Sequence, residues 1–197
     1  MTIADYGVGN LHSVKKAFEK NGVDVRIAAD MKDLLGAECI VFPGVGAFDS
    51  TMEKLLPYKK EIRKRLLDGV PALGICIGAQ ILFNSSEEGL SEGVGAFSGK
   101  IVKLSAKCIP HMGWNNVRSA DPLMEGIEKK QFYFAHSYRG SADSRENIVG
   151  TTEYEGEEFP SFFRVANTYG TQFHPEKSSV PGLALIKNFI EFAEEKK

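Results

Sequence analysis

The chain has 197 residues and a net charge of −2, with 43% hydrophobic and 25% charged side chains, the balance of an ordinary globular protein. That length fits one domain, residues 1–197, able to bury a core without disulfide or metal staples. The balance leaves no electrostatic footprint for nucleic acid, no apolar run approaches the roughly 20 residues that span a bilayer, and the start, Met1 to Tyr6, lacks a signal-peptide pattern; no nucleic-acid partner, no membrane and a cytoplasmic location are expected.

In chain order, residues 3–5 read as a short strand, and a turn over 6–9 leads into a helix with an apolar stripe at Leu11, Val14, Ala17 and Phe18. Asn21-Gly22 is its stop signal. Residues 23–27 alternate with period two as a second strand, and 38–42 form a third that stops at Pro43-Gly44-Val45-Gly46. A helix over 57–68 places Tyr58, Ile62 and Leu66 on one face. Lys59, Lys60, Arg63 and Lys64 lie on the other, read as solvated. Residues 70–75 make a strand running into Gly74-Ile75-Cys76-Ile77-Gly78. Strand and helix alternating over short connections imply a mostly parallel sheet covered on both faces. The second half differs: strands over 100–104, 114–118, 131–135, 148–154, 159–165 and 169–173, with little helix between them, imply antiparallel additions. A last helix over 181–197 buries Leu183, Ile186, Phe189, Ile190 and Ala193, with Pro181 in its first turn. The expected fold class is α/β, three layers (αβα), with a central mostly parallel sheet and antiparallel additions.

Chemistry concentrates at strand ends. A cysteine with glycine two places to either side, between a strand and a helix, has the logic of a nucleophile elbow. The turn excludes bulky neighbours, and N–H groups at the helix start favour a thiolate at Cys76. The other cysteines, Cys39 in an apolar strand and Cys108 beside Lys107, read as structural. Three widely spaced cysteines without C-x-x-C argue against a disulfide framework or a zinc site. An activated thiol needs a base and the base an orienting group. His174 follows a strand pattern, and Pro175 places Glu176 two residues beyond the imidazole, able to fix its tautomer. A lone buried histidine beside a proline is also a common structural feature, and the elbow is what favours catalysis here. His12 reads as a surface or packing residue. Gly44, Val45 and Gly46 can aim backbone N–H groups at one point and, with the N–H of Ile77, form an oxyanion hole. A phosphate loop competes for this stretch, but neither phosphate-loop pattern is present.

Three motifs, G-I-C-I-G-A-Q, P-G-V-G and Q-F-H-P-E, in this order and spacing, resemble the class I (triad-type) glutamine amidotransferases over essentially the whole chain. Within that class, Asp5–Leu11, Pro110–Asn115, Tyr133–Tyr138 and His-Pro-Glu-Lys-Ser at 174–178 resemble the glutaminase subunits of imidazole glycerol phosphate synthase. The resemblance implies a flavodoxin-like fold with Cys76 as nucleophile, His174 as base and Glu176 as orienting acid. It implies substrate contacts at Gln80, Glu88 and Tyr138, and partner-facing positions at Asn10, Trp114 and Lys177. Ile77 and Ala79 depart from the Leu and Met more usual there, and the smaller Ala79 is expected to alter packing beneath the elbow.

The activity so implied is hydrolysis of glutamine to glutamate and ammonia through a cysteine thioester. The ammonia passes to a (β/α)8-barrel cyclase subunit making imidazole glycerol phosphate and aminoimidazole carboxamide ribotide in histidine biosynthesis. A barrel usually takes about 250 residues, so a heterodimer is expected; no cofactor and no metal are. The competing readings are a glutaminase for another synthase, a different thiol hydrolase or chaperone-like relative, and a non-catalytic module. The 110–115 and 133–138 stretches, the His-Pro-Glu motif and the intact Cys, His and Glu argue against them in turn.

Overall fold

The computed structural model describes residues 1–7 and 10–196. At its centre, β1 (Thr2–Ala4), β2 (Arg26–Ala28), β3 (Ile40–Phe42) and β4 (Ala72–Ile75) run parallel, joined at the far side of β4 by β13 (Thr168–Thr171). β13 is the switch: β12 (Glu157–Val165), β11 (Ile148–Tyr154) and β8 (Arg118–Ser119) continue the sheet antiparallel. The resulting strand order is β2-β1-β3-β4-β13-β12-β11-β8. The central sheet is therefore a parallel block with an antiparallel extension, as the change in sequence pattern requires. Two smaller sheets lie beside it. β5 (Ser85–Ser86), β6 (Gly99–Lys103) and β10 (Tyr138–Ala142) form one, and β7 (His111–Asn116) pairs with β9 (Gln131–His136) in the other.

Period-two alternation distributes the β3 and β4 side chains to two cores. Val41, Leu73 and Ile75 face α1 (Leu11–Glu19) and α5 (Ser179–Glu194), meeting Val14, Phe18, Ile186 and Phe189. Ile40, Phe42 and Ala72 face α2 (Phe48–Leu55) and α3 (Lys59–Leu67), meeting Met52, Leu55, Ile62 and Leu66. Each buried aliphatic or aromatic side chain stabilises this arrangement by about 1.5–3 kcal/mol, which is how strands of three or four residues persist. No helix among the described residues is long and apolar enough to cross a membrane.

The differences from expectation are local. Residues 23–25 stay outside β2, because at the sheet edge only Arg26–Ala28 find a ladder partner, on β1. The sequence pattern does not anticipate the amphipathic helix α2. Nor does it anticipate β10, whose Arg139, Gly140 and Ser141 lack strand propensity and are held by pairing with β6. Residues 114–118 divide between β7 and β8, which join different sheets. On the lysine face of α3, Lys60, Arg63 and Lys64 are exposed, whereas Lys59 is half-buried; Lys59 pairs with Glu92 at 2.7 Å and Arg63 donates to the Gly95 carbonyl at 2.8 Å. The expected turn at 6–9 and the end of the last helix fall partly on residues 8, 9 and 197, outside the described residues. At the start of α5, Gly182 lies against the backbone of the 175–177 turn. A Cβ there would stand 1.9 Å from the Pro175 carbonyl oxygen.

Candidate active site

Cys76 sits between β4 and α4 (Ile77–Gln80) with φ 50° and ψ −110°, a conformation costly for an L-residue. Its surroundings leave no alternative. The Cys76 N–H donates to the Thr171 carbonyl at 2.7 Å, and the Ala79 and Gln80 N–H groups both return to the Cys76 carbonyl at 3.0 Å. A Cβ on Gly78 would come within 2.0 Å of the Phe42 carbonyl oxygen, and one on Gly44 within 2.2 Å of the Ile75 carbonyl oxygen. The two glycines let the β3 end and the elbow touch backbone to backbone. Because α4 is a single turn, the field at the sulfur comes from its few free N–H groups and not from a long helix dipole. Beneath the elbow, the space left by Ala79 is closed: a Cβ at Gly170 would already meet the Phe97 ring at 2.9 Å and the Ala79 Cβ at 3.1 Å.

His174 follows the C-terminal end of β13, next in the sheet to β4, so the topology brings 76 and 174 together. The His174 Nδ1 and Glu176 Oε1 are 2.8 Å apart with both side chains buried. The second carboxylate oxygen, Oε2, is buried with no hydrogen-bond partner. Nδ1–H donates to the carboxylate, leaving Nε2 for the sulfur. Burial alone would depress the imidazole. The charge and hydrogen bond of Cys76, followed by those of Glu176, outweigh it and raise His174 to about 10. The histidine thus holds its proton at neutral pH. The Cys76 Sγ lies 3.8 Å from the Ala135 carbonyl and receives the Gln172 Nε2–H at 3.6 Å.

A cavity of about 220 Å³ opens over the sulfur. Gly46, Cys76, Ile77, Gln80, Glu88 and Tyr138 all line it, so six of the positions singled out in the sequence converge. Gly44 is buried behind it, and Val45 projects outward, 42% exposed. Glu88 is held at the rim by accepting the Phe48 N–H at 3.2 Å, and its carboxyl is raised, by partial burial first and by the charge of Asp49. Asp49 itself caps the Leu90 and Ser91 N–H groups at 3.0 and 2.9 Å, tying the Glu88 loop to α2.

Asn10, Trp114 and Lys177 are outside the cavity. Asn10 caps α1 by accepting the Ser13 N–H at 3.3 Å. Trp114 is 49% exposed and meets the ring of Tyr133 edge-on. Tyr133 accepts the His174 N–H at 2.8 Å, and Lys177 is exposed on the same turn. Met112, also exposed, joins the outer face of β7 to the cavity.

Sequence reasoning gave no role to Gln172, His111 or His136. The histidines form a buried pair, Nδ1 of His111 against Nε2 of His136 at 3.0 Å. His136 Nδ1 points at the Tyr138 carbonyl (2.8 Å) and must donate to it, so its Nε2 accepts from His111, whose own Nε2 accepts from Asn115 at 3.3 Å. Both rings are neutral: burial pushes His111 down to about 4 and, with the nearby His111 and His174, His136 to about 3. The available signal was a histidine just outside each of two expected strands, 114–118 and 131–135, with aromatics nearby. Only pairing β7 with β9 makes it legible. Among the described residues, no group of three or more His, Cys, Asp or Glu side chains is placed to hold a metal ion.

The glutamine amidotransferase class-I family model matches residues 2–192. This chain belongs to the class I glutamine amidotransferases. Within the family it is similar to the imidazole glycerol phosphate synthase subunit HisH of Methanocaldococcus jannaschii, 47% identical over 96% of this chain and 97% of the relative. The same-named subunit of Pyrococcus furiosus is 44% identical over 96% and 97%. Among solved structures, a putative GMP synthase subunit from Thermoplasma acidophilum superposes with a TM-score of 0.72 at 22% identity, over 98% of this chain and 93% of that one. At that identity the likeness concerns the fold, and the class I amidotransferase architecture is the one observed.

Proposed function

We propose that the chain is the glutaminase subunit of imidazole glycerol phosphate synthase. It hydrolyses glutamine to glutamate and ammonia and delivers the ammonia to a cyclase subunit for histidine biosynthesis. The supporting observation is the strained Cys76 elbow, which opens on a small cavity and is hydrogen-bonded to the His174 imidazole that Glu176 orients. The relatives at 47% and 44% identity, named as subunits of that synthase, support the biosynthetic role. We further propose a (β/α)8-barrel partner in a heterodimer, met through the edge carrying Asn10, Trp114 and Lys177, one glutaminase domain over 1–197, and a cytoplasmic location.

The Cys76 thiolate attacks the carboxamide carbon, forming the C–S bond. The negative oxygen is received by N–H groups of the 44–46 loop and Ile77. His174, protonated at rest, gives its proton to the departing nitrogen as the C–N bond breaks, releasing ammonia and leaving a glutamyl thioester. Acylation removes the thiolate charge, the largest of the effects that hold the imidazole high. The neutral ring then takes a proton from water, hydroxide adds to the thioester, and C–S cleavage releases glutamate and restores the thiolate. Glu88 at the rim offers a carboxylate for the substrate ammonium. Cys76→Ala is expected to abolish glutamine-dependent synthesis, by at least about 1,000-fold, while added ammonia still supports the complex. Undiminished glutamine turnover by that variant would refute the reading.

A further inference from the structure

The hydrogen bonds around Tyr138 determine which way two buried amides point. The Tyr138 carbonyl can only accept, and Gln80 Nε2 lies 3.0 Å from it. The same nitrogen lies 3.0 Å from Gln172. A nitrogen that donates to Tyr138 and carries a second hydrogen must find an acceptor there, so Gln172 presents Oε1 to Gln80. Its Nε2 is then left facing the Cys76 sulfur at 3.6 Å. Gln172 is 1% exposed and has no freedom to turn over without placing nitrogen against nitrogen. Any such unpaired buried contact is costly.

We propose that Gln172 is a catalytic hydrogen-bond donor to the Cys76 sulfur, oriented through Gln80 by the Tyr138 carbonyl, and that it stabilises the sulfur anion. This rests on the reading of Cys76 as nucleophile. An N–H donor aimed at sulfur is strengthened when the sulfur is charged and weakened when it is acylated. It therefore favours the thiolate before attack and again as the leaving group when the thioester collapses. The Ala135 carbonyl, on the same sulfur at 3.8 Å, opposes negative charge, and the Gln172 N–H at 3.6 Å offsets it.

The test uses the full chain in a Cys108→Ser background, because Cys108 is exposed and Cys39 is buried. Gln172→Met removes the donor. Gln172→Glu keeps an acceptor for Gln80 but turns an oxygen toward the sulfur. Alkylation of Cys76 by iodoacetamide is followed across pH without glutamine, and glutaminase kcat and KM are measured alongside. The expected result for Gln172→Met is a kcat roughly 10- to 100-fold lower with KM little changed, and an alkylation profile displaced about one to two pH units upward. Gln172→Glu should be displaced further still. Gln80→Met should move the profile in the same direction by less. Alkylation profiles that coincide with the parent in both Gln172 variants would overturn the proposal, even with Cys76→Ala inactive. A Cys76→Ala chain that still hydrolyses glutamine would instead overturn the reading beneath it.

Discussion

In the parallel half, β1, β3 and β4 have three or four residues, are mostly buried on both faces and exist to end: their C-terminal turns supply the 44–46 loop and the elbow. In the antiparallel half, β9, β11 and β12 have six, seven and nine residues and mix buried with partly exposed positions. The two halves also treat histidine in opposite ways. His174, on the turn after the last parallel strand, is raised to about 10 by its interactions with Cys76 and Glu176. His111 and His136, on β7 and β9, are surrounded by aromatic rings and neutral donors and fall to about 4 and 3. The parallel half thus holds a proton for chemistry, and the antiparallel half supplies a wall that excludes one. A single residue type yields both behaviours because the neighbours differ.

The contrast can be broken most severely at the parallel strand ends. Gly78→Ala places a methyl within 2.0 Å of the Phe42 carbonyl, an immovable backbone atom. A loss of about 3 kcal/mol or more in denaturant unfolding is expected, with loss of glutaminase activity. A folded, active variant would show that the elbow has slack.

A smaller effect sharpens the difference between the histidines. Because both wall imidazoles are depressed, the unfolded chain binds protons that the folded chain refuses as pH falls from about 6.5 toward 4 and 3. Stability should decline through that window. In a His111→Phe/His136→Leu double variant, stability at pH 7 is lower but its fall between pH 7 and pH 5 is shallower; parallel curves would contradict the assignment. His174 contributes with the opposite sign, its stabilisation being complete below about 6.5 and lost as pH rises through about 10.

The smallest effect lies on the outer antiparallel edge. Arg118 reaches Glu153 and Glu158 at 3.1 and 2.9 Å, with 64% of its side chain exposed. Arg118→Ala should change stability by less than about 1 kcal/mol and leave glutaminase kcat unaltered, as read by thermal unfolding and ammonia release.

Much of the parallel half was readable because its signals are local. Glycines at 74 and 78, proline at 43 and the stripes of α1 and α5 announce themselves within a few residues. Cys76, His174 and Glu176 could be named as candidates because each sits where a strand pattern stops. The antiparallel half resisted. β10 carries Arg139-Gly140-Ser141, and its identity as a strand comes from its partner β6. Likewise His111 finds His136 only through the β7–β9 register, and Gln172 finds Gln80 and Cys76 only through side chains 92 and 96 positions apart in sequence. Residue type alone assigns such groups no role.

Gly182 packs against the turn that follows His174 and lines none of the cavity. Yet at 1.9 Å from the Pro175 oxygen, a single added carbon has nowhere to go without moving the segment that carries the base. Tolerance to mutation in this protein therefore follows clearance, not proximity to substrate. In a saturation scan, position 182 should rank among the least forgiving, ahead of open rim positions such as Met112 that a ligand would touch.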